Sequence, residues 1–162
     1  MAVRHRLRLR PAADADSPAV TALIRGVLRE FRLRFDPGTI DRTLSVLEAH
    51  FRRPGRRFWV LEDRSRIIGC VAIDRRSRFV AELMKMYLDP RFRGRGLGRR
   101  MLRTALAFAR RAGYRRVMLE TNTRFRAAAG LYGKAGFRLR ARTRIPPRCD
   151  AVYDMGLLRM RG

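Results

Sequence analysis

A glycine-rich turn between an apolar strand and an amphipathic helix constrains the fold of this chain more than any other segment. The turn spans residues 93–99 and has glycine at every second position: Gly94, Gly96 and Gly98. Glycines remove the Cβ atoms that would hold a ligand away from the backbone, and the first amides of the following helix have no partner inside it. Such a turn directs N–H donors and the positive end of the helix dipole at one point. The sequence therefore predicts a site for a phosphate or pyrophosphate.

Two common phosphate-binding motifs do not fit this turn. The dinucleotide-binding fingerprint G-x-G-x-x-G requires a glycine at the position of Arg99. The Walker motif requires Gly-Lys followed by Ser or Thr, and no such triplet follows the turn. A third interpretation, a tight turn with a purely structural role and solvated arginines, stays open at this point.

The spacing of apolar residues predicts a single α/β domain over residues 1–162. A chain of 162 residues is long enough for one core and too short for two ordinary ones. Periods of two predict strands and periods near 3.6 predict helices, in the order β-α-α-β-β-β-α-β-α-β-β. The predicted helices are 18–31, 40–51, 97–112 and 125–134, and the predicted strands are 3–9, 58–62, 67–74, 79–88, 117–121, 137–140 and 151–157. This order indicates a mixed, mostly antiparallel central sheet flanked by helices.

Basic residues far outnumber acidic residues. The chain has 39 Lys and Arg against 14 Asp and Glu, a formal net charge of +25, and only Lys85 and Lys134 are lysine. A charge of this size is typical of domains that bind nucleic acid, an anionic membrane or an acidic ligand. The arginines are scattered over nearly every segment, which fits equally well with a compositional replacement of lysine by arginine. Both interpretations stay open.

The cysteine and histidine content excludes several kinds of site. Cys70 and Cys149 are the only cysteines, and His5 and His50, the only histidines, are far apart. These numbers exclude a disulfide framework, a zinc ribbon and an HExxH site, so we expect no metal. No apolar run approaches the about 20 residues that span a bilayer, and the N-terminus has no signal-peptide core. We therefore expect a cytoplasmic protein with no membrane partner.

Three segments resemble the GCN5-related N-acetyltransferases, the GNAT family. The glycine-rich turn is similar to the family's acyl-CoA loop, Arg/Gln-x-x-Gly-x-Gly/Ala, at Arg91, Gly94 and Gly96. Residues 81–90 are similar to the strand and turn that precede this loop. The family's second hallmark motif is matched at Ala128, Leu131, Tyr132, Gly136 and Phe137. The motifs cover residues 79–139, and the predicted order of elements extends the resemblance over the whole chain.

The resemblance implies acetyl-CoA as co-substrate. In the family the amides of the loop bind the pyrophosphate of CoA, and the backbone of the fourth strand pairs with pantetheine. Arginine side chains of the turn, Arg93 and Arg99 above all, are expected to pair with phosphates. The implied cofactor-binding residues are Met86, Leu88, Arg91, Arg93, Gly94, Arg95, Gly96, Leu97, Gly98 and Arg99.

The resemblance also implies two catalytic residues. Members of the family transfer the acetyl group by direct attack of a neutral amine on the thioester. Tyr132 matches the tyrosine that protonates the leaving thiolate, and its alternative role is core packing. Glu82, an acid in an otherwise apolar strand, matches a glutamate that serves as base in some members, and its alternative role is an ion pair with an arginine. Glu120 and Asp150 are weaker candidates for binding the substrate's ammonium group or for salt bridges.

The sequence constrains the acceptor less than the cofactor. Phe125 stands where many members of the family have an asparagine, with Asn122 nearby. The predicted reaction is acetylation of a primary amine on a small molecule, such as an amino acid or an analogue, by a monomer or homodimer. Two alternatives are acetylation of a protein N-terminus or lysine, for example on a ribosomal protein, and a basic nucleic-acid or ribosome-associated module on the same fold. The net charge predicts low activity on polyamines, unless the pocket itself is locally acidic.

Overall fold

Strands and helices follow one another in the predicted order along residues 6–157, the part of the chain that the computed structural model describes. The strands are β1 (Leu7–Pro11), β2 (Arg57–Asp63), β3 (Arg66–Arg75), β4 (Val80–Leu88), β5 (Arg116–Thr121), β6 (Arg138–Ile145) and β7 (Cys149–Gly156). The helices are α1 (Ser17–Glu30), α2 (Leu47–Phe51), α3 (Leu97–Arg111) and α4 (Arg126–Ala135). Single 3-10 turns lie at Asp14–Asp16, Arg42–Ser45 and Pro90–Phe92.

The strands form a seven-stranded sheet in the order β1-β2-β3-β4-β5-β7-β6. Neighbouring strands are antiparallel except β4 and β5, which are parallel and are joined by the crossover helix α3. The register of β4 with β5 runs only from Val80 opposite Arg116 to Glu82 opposite Met118. Beyond Glu82 both strands continue without pairing with each other. The predicted mixed, mostly antiparallel sheet is confirmed, and it opens in its middle.

A β-bulge at Lys85 changes which side of the sheet the residues of β4 face. Cys70 of β3 lies opposite Tyr87 and Ala72 lies opposite Met84, so two residues of β4 oppose one residue of β3. Lys85 has a φ of 54°, in the left-handed region. Because of the extra residue, the side chains of Met84 and Tyr87 both pack on the α1 side of the sheet. The bulge also places the ammonium group of Lys85 on that side, against the segment that joins α1 and α2.

Helices cover the apolar faces on both sides of the sheet. Helix α1 has Pro18 in its first turn, where a missing N–H costs nothing, and its predicted apolar stripe is buried. On this side the core contains Val20, Ile24, Leu28, Leu44, Leu47, Phe51, Phe58, Val60, Cys70 and Ala72. Helix α3 covers the other side and buries Leu97, Met101, Leu102, Ala105, Leu106 and Ala109. Residues of β4 therefore pack into a core on each side of the sheet.

Two predicted elements differ from the observed ones. The helix expected over 40–51 is a 3-10 turn followed by the short α2, because the buried carboxylate of Asp41 anchors the chain just before it. Strand β6 extends to Ile145, beyond the predicted 137–140. The sequence did not predict this extension, because the residues are almost all exposed and lack the alternation that marks a half-buried strand. The N-terminal residues of the predicted first strand, Val3 and His5, lie outside the described residues. Within residues 6–157 no helix has the length and apolarity needed to cross a membrane.

Candidate active site

A cleft of about 390 Å³ lies where β4 and β5 diverge. One wall is β4, from Glu82 at the point of divergence to Leu88 beside the glycine-rich turn. The facing wall consists of the end of β5, from Leu119 to Asn122, and the first turns of α4. Residues of the turn and of the start of α3 also line the cleft. The three segments that carry the family resemblance therefore surround one cavity.

Glycine is required in this turn for two different structural reasons. Gly94 and Gly96 both have a φ of 74°, and a Cβ atom at either position would meet no atom within 4 Å. Backbone conformation therefore favours glycine there, and the space in front of the turn is open. At Gly98 a Cβ atom would lie 3.3 Å from Leu131 Cδ2 of α4, so this glycine allows the two helices to approach closely. The turn thus forms a concave surface, the cradle, whose open space side chains at these positions would occupy.

The start of α3 supplies free amides to this cradle. Its first hydrogen bond runs from Arg100 N to Gly96 O, at 3.1 Å. The amides of Leu97, Gly98 and Arg99 precede that bond, so they have no acceptor in the helix and all three residues line the cleft. No acidic side chain lies in the first turn of α3 to occupy the positive end of the helix dipole. An anion in the cleft is the partner that these groups lack.

Two of the predicted phosphate-binding arginines are held by carboxylates of the protein. Arg91 Nη2 lies 2.7 Å from Asp89 Oδ2. Arg93 forms a bidentate pair with Glu30 of α1, at 2.6 and 2.9 Å, and its Nε donates to Leu88 O at 3.2 Å. The guanidinium group of Arg95 lies 5.4 Å from the centre of the Phe92 ring. Arg99 lines the cleft with an exposed side chain. Arg91 and Arg93 therefore fix the shape of the turn, and Arg99 is the better placed to reach a ligand.

Glu82 on the β4 wall and Glu120 on the facing β5 wall converge at the end of the cleft where the two strands part. Arg76 Nη1 lies 3.3 Å from Glu82 Oε2, and Arg76 Nη2 lies 3.9 Å from Glu120 Oε1. Burial raises the pKa of Glu82, and the neighbouring charges of Glu120 and Asp74 raise it further, whereas Arg76 lowers it. A carboxyl group with a raised pKa is a stronger base than an ordinary glutamate. The exposed Arg76 is thus a partner of Glu82, as the alternative interpretation expected, and the pKa is raised nonetheless.

Tyr132 lies in α4 on the wall of the cleft and is buried. Its ring packs against Phe137 at 5.7 Å and Tyr153 at 6.4 Å between ring centres. Burial raises the pKa of its phenol well above the usual value. The residue therefore has both features that the sequence left as alternatives, a packed ring and a place at the cleft, and its phenol stays protonated at neutral pH.

The other two polar candidates of this region support the backbone. The carboxylate of Asp150 accepts hydrogen bonds from Thr123 N and Thr123 Oγ1, both at 2.8 Å, and thereby stabilises the turn between β5 and α4. Asn122 Nδ2 donates to Arg148 O at 2.7 Å. Phe125, in place of the usual asparagine, packs against Phe31 with ring centres 4.6 Å apart. Asp150 does not line the cleft but a neighbouring cavity.

A buried charge cluster that the sequence analysis missed lies beside the bulge in β4. Asp41 Oδ1 contacts Lys85 Nζ at 2.5 Å. The same carboxylate accepts two hydrogen bonds from Arg148, the residue before β7, at 2.6 and 2.9 Å. Arg148 Nη2 also lies 3.3 Å from Tyr87 Oη, and Lys85 Nζ donates to Ile40 O at 2.7 Å. Lys85, Tyr87 and Arg148 all line the cleft.

Burial and charge act in opposite directions on this cluster. Burial alone would raise the pKa of Asp41, but Arg148 and Lys85 lower it to about 2. Burial lowers the pKa of Lys85 and raises that of Tyr87 to about 12. One signal for the cluster was present in the sequence, because Lys85 is one of two lysines in the chain and interrupts an apolar strand. Within residues 6–157 no group of three His, Cys, Asp or Glu side chains could hold a metal ion.

Comparison with known sequences connects this site to a family. Residues 23–137 match the Acetyltransferase (GNAT) family. N-acetyltransferase YjgM of Escherichia coli (strain K12) is 33% identical over 127 residues, which cover 75% of this chain and 76% of that protein. N-acetylaspartate synthetase of Danio rerio is 35% identical over 97 residues, which cover 59% of this chain and 34% of that protein.

Solved structures share the fold at lower sequence identity. A GNAT-family acetyltransferase from Staphylococcus aureus Mu50 superposes with a TM-score of 0.86 and 19% identity, covering 94% of this chain and 99% of that one. The PaiA N-acetyltransferase of Thermoplasma acidophilum, solved in complex with coenzyme A, has a TM-score of 0.75 and 16% identity, covering 93% of this chain and 99% of that one. The chain belongs to the GNAT family, and it is an acetyl-CoA-dependent N-acetyltransferase.

Proposed function

We propose that this enzyme acetylates the primary amine of a small molecule, an amino acid or an analogue, by direct transfer, and that residues 1–162 form one acetyltransferase domain. The observation that carries the proposal is that one cleft is lined by the amides of the glycine-rich turn, by the carboxylate of Glu82 and by the phenol of Tyr132. These groups provide an anion site, a base and an acid, which are the parts that direct transfer needs.

The turn and β4 hold the acyl donor in this proposal. The amides of Leu97, Gly98 and Arg99 bind the diphosphate, and Arg99 pairs with it at the surface. The backbone of β4 near Met86 and Leu88, which has no partner strand on the β5 side, binds the extended arm. Acetyl-CoA supplies the activated acyl group as a thioester. A substitution that changes the conformation of the turn should therefore weaken binding of acetyl-CoA more than it slows the transfer step.

Glu82 is the base that prepares the acceptor. Aliphatic amines are ammonium ions at neutral pH and must lose a proton before they attack. Glu82 accepts this proton, and its raised pKa makes that transfer less unfavourable than it would be to an ordinary glutamate. Glu120, on the facing wall, adds a second negative charge that attracts the ammonium group.

Tyr132 is the acid that completes the transfer. As the C–N bond forms and the C–S bond breaks, Tyr132 donates its phenol proton to the departing sulfur and afterwards recovers a proton from water. The raised pKa of the phenol keeps this proton in place until a strong base, the thiolate, is generated beside it. The amide product and free CoA balance the amine and acetyl-CoA that entered.

Three observations support an amino acid rather than a polyamine as acceptor. The net charge of +25 repels polycations, whereas it attracts acceptors that carry a carboxylate. One relative is by its name a synthetase of an acetylated amino acid, N-acetylaspartate. The buried cations Lys85 and Arg148 on the wall of the cleft favour the same chemistry.

A thiol-release assay with acetyl-CoA tests the proposal. The acceptors are the common amino acids, simple amines, spermidine and short peptides, and calorimetric titration with acetyl-CoA verifies donor binding. We expect release above the rate of hydrolysis with amino acids and little release with spermidine. Tight binding of acetyl-CoA without release for any amine would contradict the proposal, and preferential use of peptides would redirect it to protein acetylation.

A further inference from the structure

A second cavity, of about 760 Å³, lies next to the cleft. It is formed by the segment that follows α1, the turn after β5 and the connection between β6 and β7. Five arginines line it against two acids, and they are Arg32, Arg34, Arg124, Arg144 and Arg148. We call this the arginine cavity. Its positive charge distinguishes it from the end of the cleft where Glu82 and Glu120 converge.

The two acids of the arginine cavity already have partners. The carboxylate of Asp150 accepts from Thr123. Asp36 Oδ1 accepts from the backbone N–H groups of Gly38 and Thr39, both at 3.1 Å. Across the described part of the chain, neither acid forms an ion pair with the arginines around it. The positive charge of the cavity is therefore not neutralised by its own carboxylates.

The arginines at the mouth of the cavity are available to a ligand. The side chains of Arg32, Arg34, Arg124 and Arg144 are exposed, and none of the four forms an ion pair within residues 6–157. Arg124 is oriented by two backbone carbonyls, Phe31 O at 3.1 Å and Arg32 O at 3.0 Å. A guanidinium group held by neutral carbonyls keeps its full charge for an incoming anion.

The arginine cavity and the cleft meet at shared residues. Asn122, Arg148 and Cys149 line both. Arg148 is only 5% exposed, and with Lys85 it contributes two cations to a cluster that contains one carboxylate, Asp41. A buried surplus of positive charge is costly unless an anion joins it. An anion bound at the junction would complete the cluster and would also raise the lowered pKa of Lys85.

We propose that the acceptor is an acidic amino acid whose carboxylates are bound by the arginine cavity and its junction with the cleft, while its amine faces Glu82 and Glu120. This proposal rests on the proposed function and specifies its substrate class. The acceptor enters through the arginine cavity, on the side of Arg148, and not past the glycine-rich turn. The amine of the acceptor then faces the two glutamates of the cleft, and its carboxylates face the arginine cavity.

A matched series of acceptors tests the proposal. L-aspartate, its side-chain amide L-asparagine and the diamide of aspartate have nearly the same shape and carry two, one and no carboxylates. We expect kcat/KM to fall about tenfold or more with each lost carboxylate, mainly through KM, because each removes charge-assisted hydrogen bonds. Equal kcat/KM for the three acceptors, or a preference for peptides over free aspartate, would overturn the proposal.

Variants at the mouth of the cavity provide the second arm. In R34Q/R144Q we expect KM for aspartate to rise about tenfold or more, with a much smaller rise in KM for the diamide and an unchanged KM for acetyl-CoA. The matched control is Arg142→Gln, an exposed arginine of the same strand as Arg144 that lines neither cavity. If R34Q/R144Q and R142Q behave alike, the arginine cavity is not the carboxylate site. Failure of every amine, with acetyl-CoA binding intact, would instead reject the proposed function itself and this inference with it.

Discussion

The proposed donor side and the proposed acceptor side of this enzyme are suited to anions in two different ways. At the glycine-rich turn the donors are backbone amides at the start of α3, and the side chains nearby mainly brace the turn. At the arginine cavity the donors are side chains from segments far apart in the chain, and one of them, Arg148, is held by the buried carboxylate of Asp41. The donor side depends on backbone conformation, whereas the acceptor side depends on charge and on tertiary contacts.

This difference explains why substitutions should act differently on the two sides. A backbone site tolerates many side-chain changes but fails when a φ value changes. A side-chain site retains its backbone when an arginine is neutralised but loses its charge. The following predictions test that contrast, beginning with the largest expected effect.

Asp41→Asn should destabilise the fold more than any change at the turn. The variant removes the carboxylate shared by two buried cations, and loss of one partner of a buried ion pair typically costs about 3–5 kcal/mol. Chemical denaturation measures the free energy of unfolding. The control is Asp36→Asn, whose carboxylate contacts backbone N–H groups near the surface, and it should cost about 1 kcal/mol. Equal losses for the two variants would show that the cluster does not anchor the fold.

The same cluster predicts that the free energy of unfolding decreases at acidic pH. The pKa of Asp41 is lowered to about 2 in the folded protein, below its value of about 3.9 in the unfolded chain. Its contribution to the free energy of unfolding is therefore fully present above about pH 4 and is lost as the pH falls toward 2. Unfolding measured between pH 6 and 2 should show a shallower acid loss in Asp41→Asn than in the wild type.

Gly96→Val should abolish acetyl-CoA binding without unfolding the protein. A β-branched residue is strained at a φ of 74°, so the turn must change its conformation to relieve the strain. We expect Kd for acetyl-CoA to rise about a hundredfold or more, which is the loss of about two charge-assisted hydrogen bonds. The control is Gly26→Ala in α1, where a Cβ atom meets nothing within 4 Å and the melting temperature should rise slightly. Normal binding by Gly96→Val would reject the turn as the diphosphate site.

Tyr132→Phe should lower kcat and leave the KM for acetyl-CoA nearly unchanged. The variant keeps the packing of the ring against Phe137 but removes the proton donor, and general acid catalysis contributes about 10²-fold or more. Steady-state kinetics with saturating acceptor measures the effect. The matched control is Tyr153→Phe, a neighbouring ring outside the cleft, which should retain kcat. An unchanged kcat in Tyr132→Phe would leave this tyrosine with a packing role only.

Glu82→Gln should remove the pH dependence of kcat/KM that Glu82 causes, and the loss of activity should be smaller at high pH than near neutral pH. Because the pKa of Glu82 is raised, the fraction of ionised base and hence kcat/KM should increase with pH through that value in the wild type. The variant should lose this limb and about tenfold or more of kcat/KM near neutral pH. Glu120→Gln should keep the limb but move it to lower pH, because Glu120 no longer raises the pKa of Glu82. It should also raise the KM for the acceptor by a few-fold, since surface-accessible charge pairs contribute about 1 kcal/mol or less. Identical pH profiles of kcat/KM for the wild type and Glu82→Gln would show that water, and not Glu82, deprotonates the acceptor amine.

The parts of the site that could be predicted are those carried by short, local patterns. The turn at 93–99, the apolar stripe of α1 and the motif around Tyr132 each depend on residues within one or two turns of chain. Glu82 stood out because an acid in an apolar strand is unusual. Its meeting with Glu120 at Arg76 could not be predicted, because it depends on the parallel register of β4 with β5.

The amino-acid sequence by itself determined the order of elements, the glycine-rich turn and the family to which the enzyme belongs. These features follow from backbone conformations that neighbouring residues set. Only the tertiary structure decided where β4 and β5 part, which way the bulge directs Lys85, and that Asp41 meets Arg148 across 107 positions of the chain. Contacts of this kind depend on how the whole sheet and its helices pack, and no local pattern of residues encodes that packing.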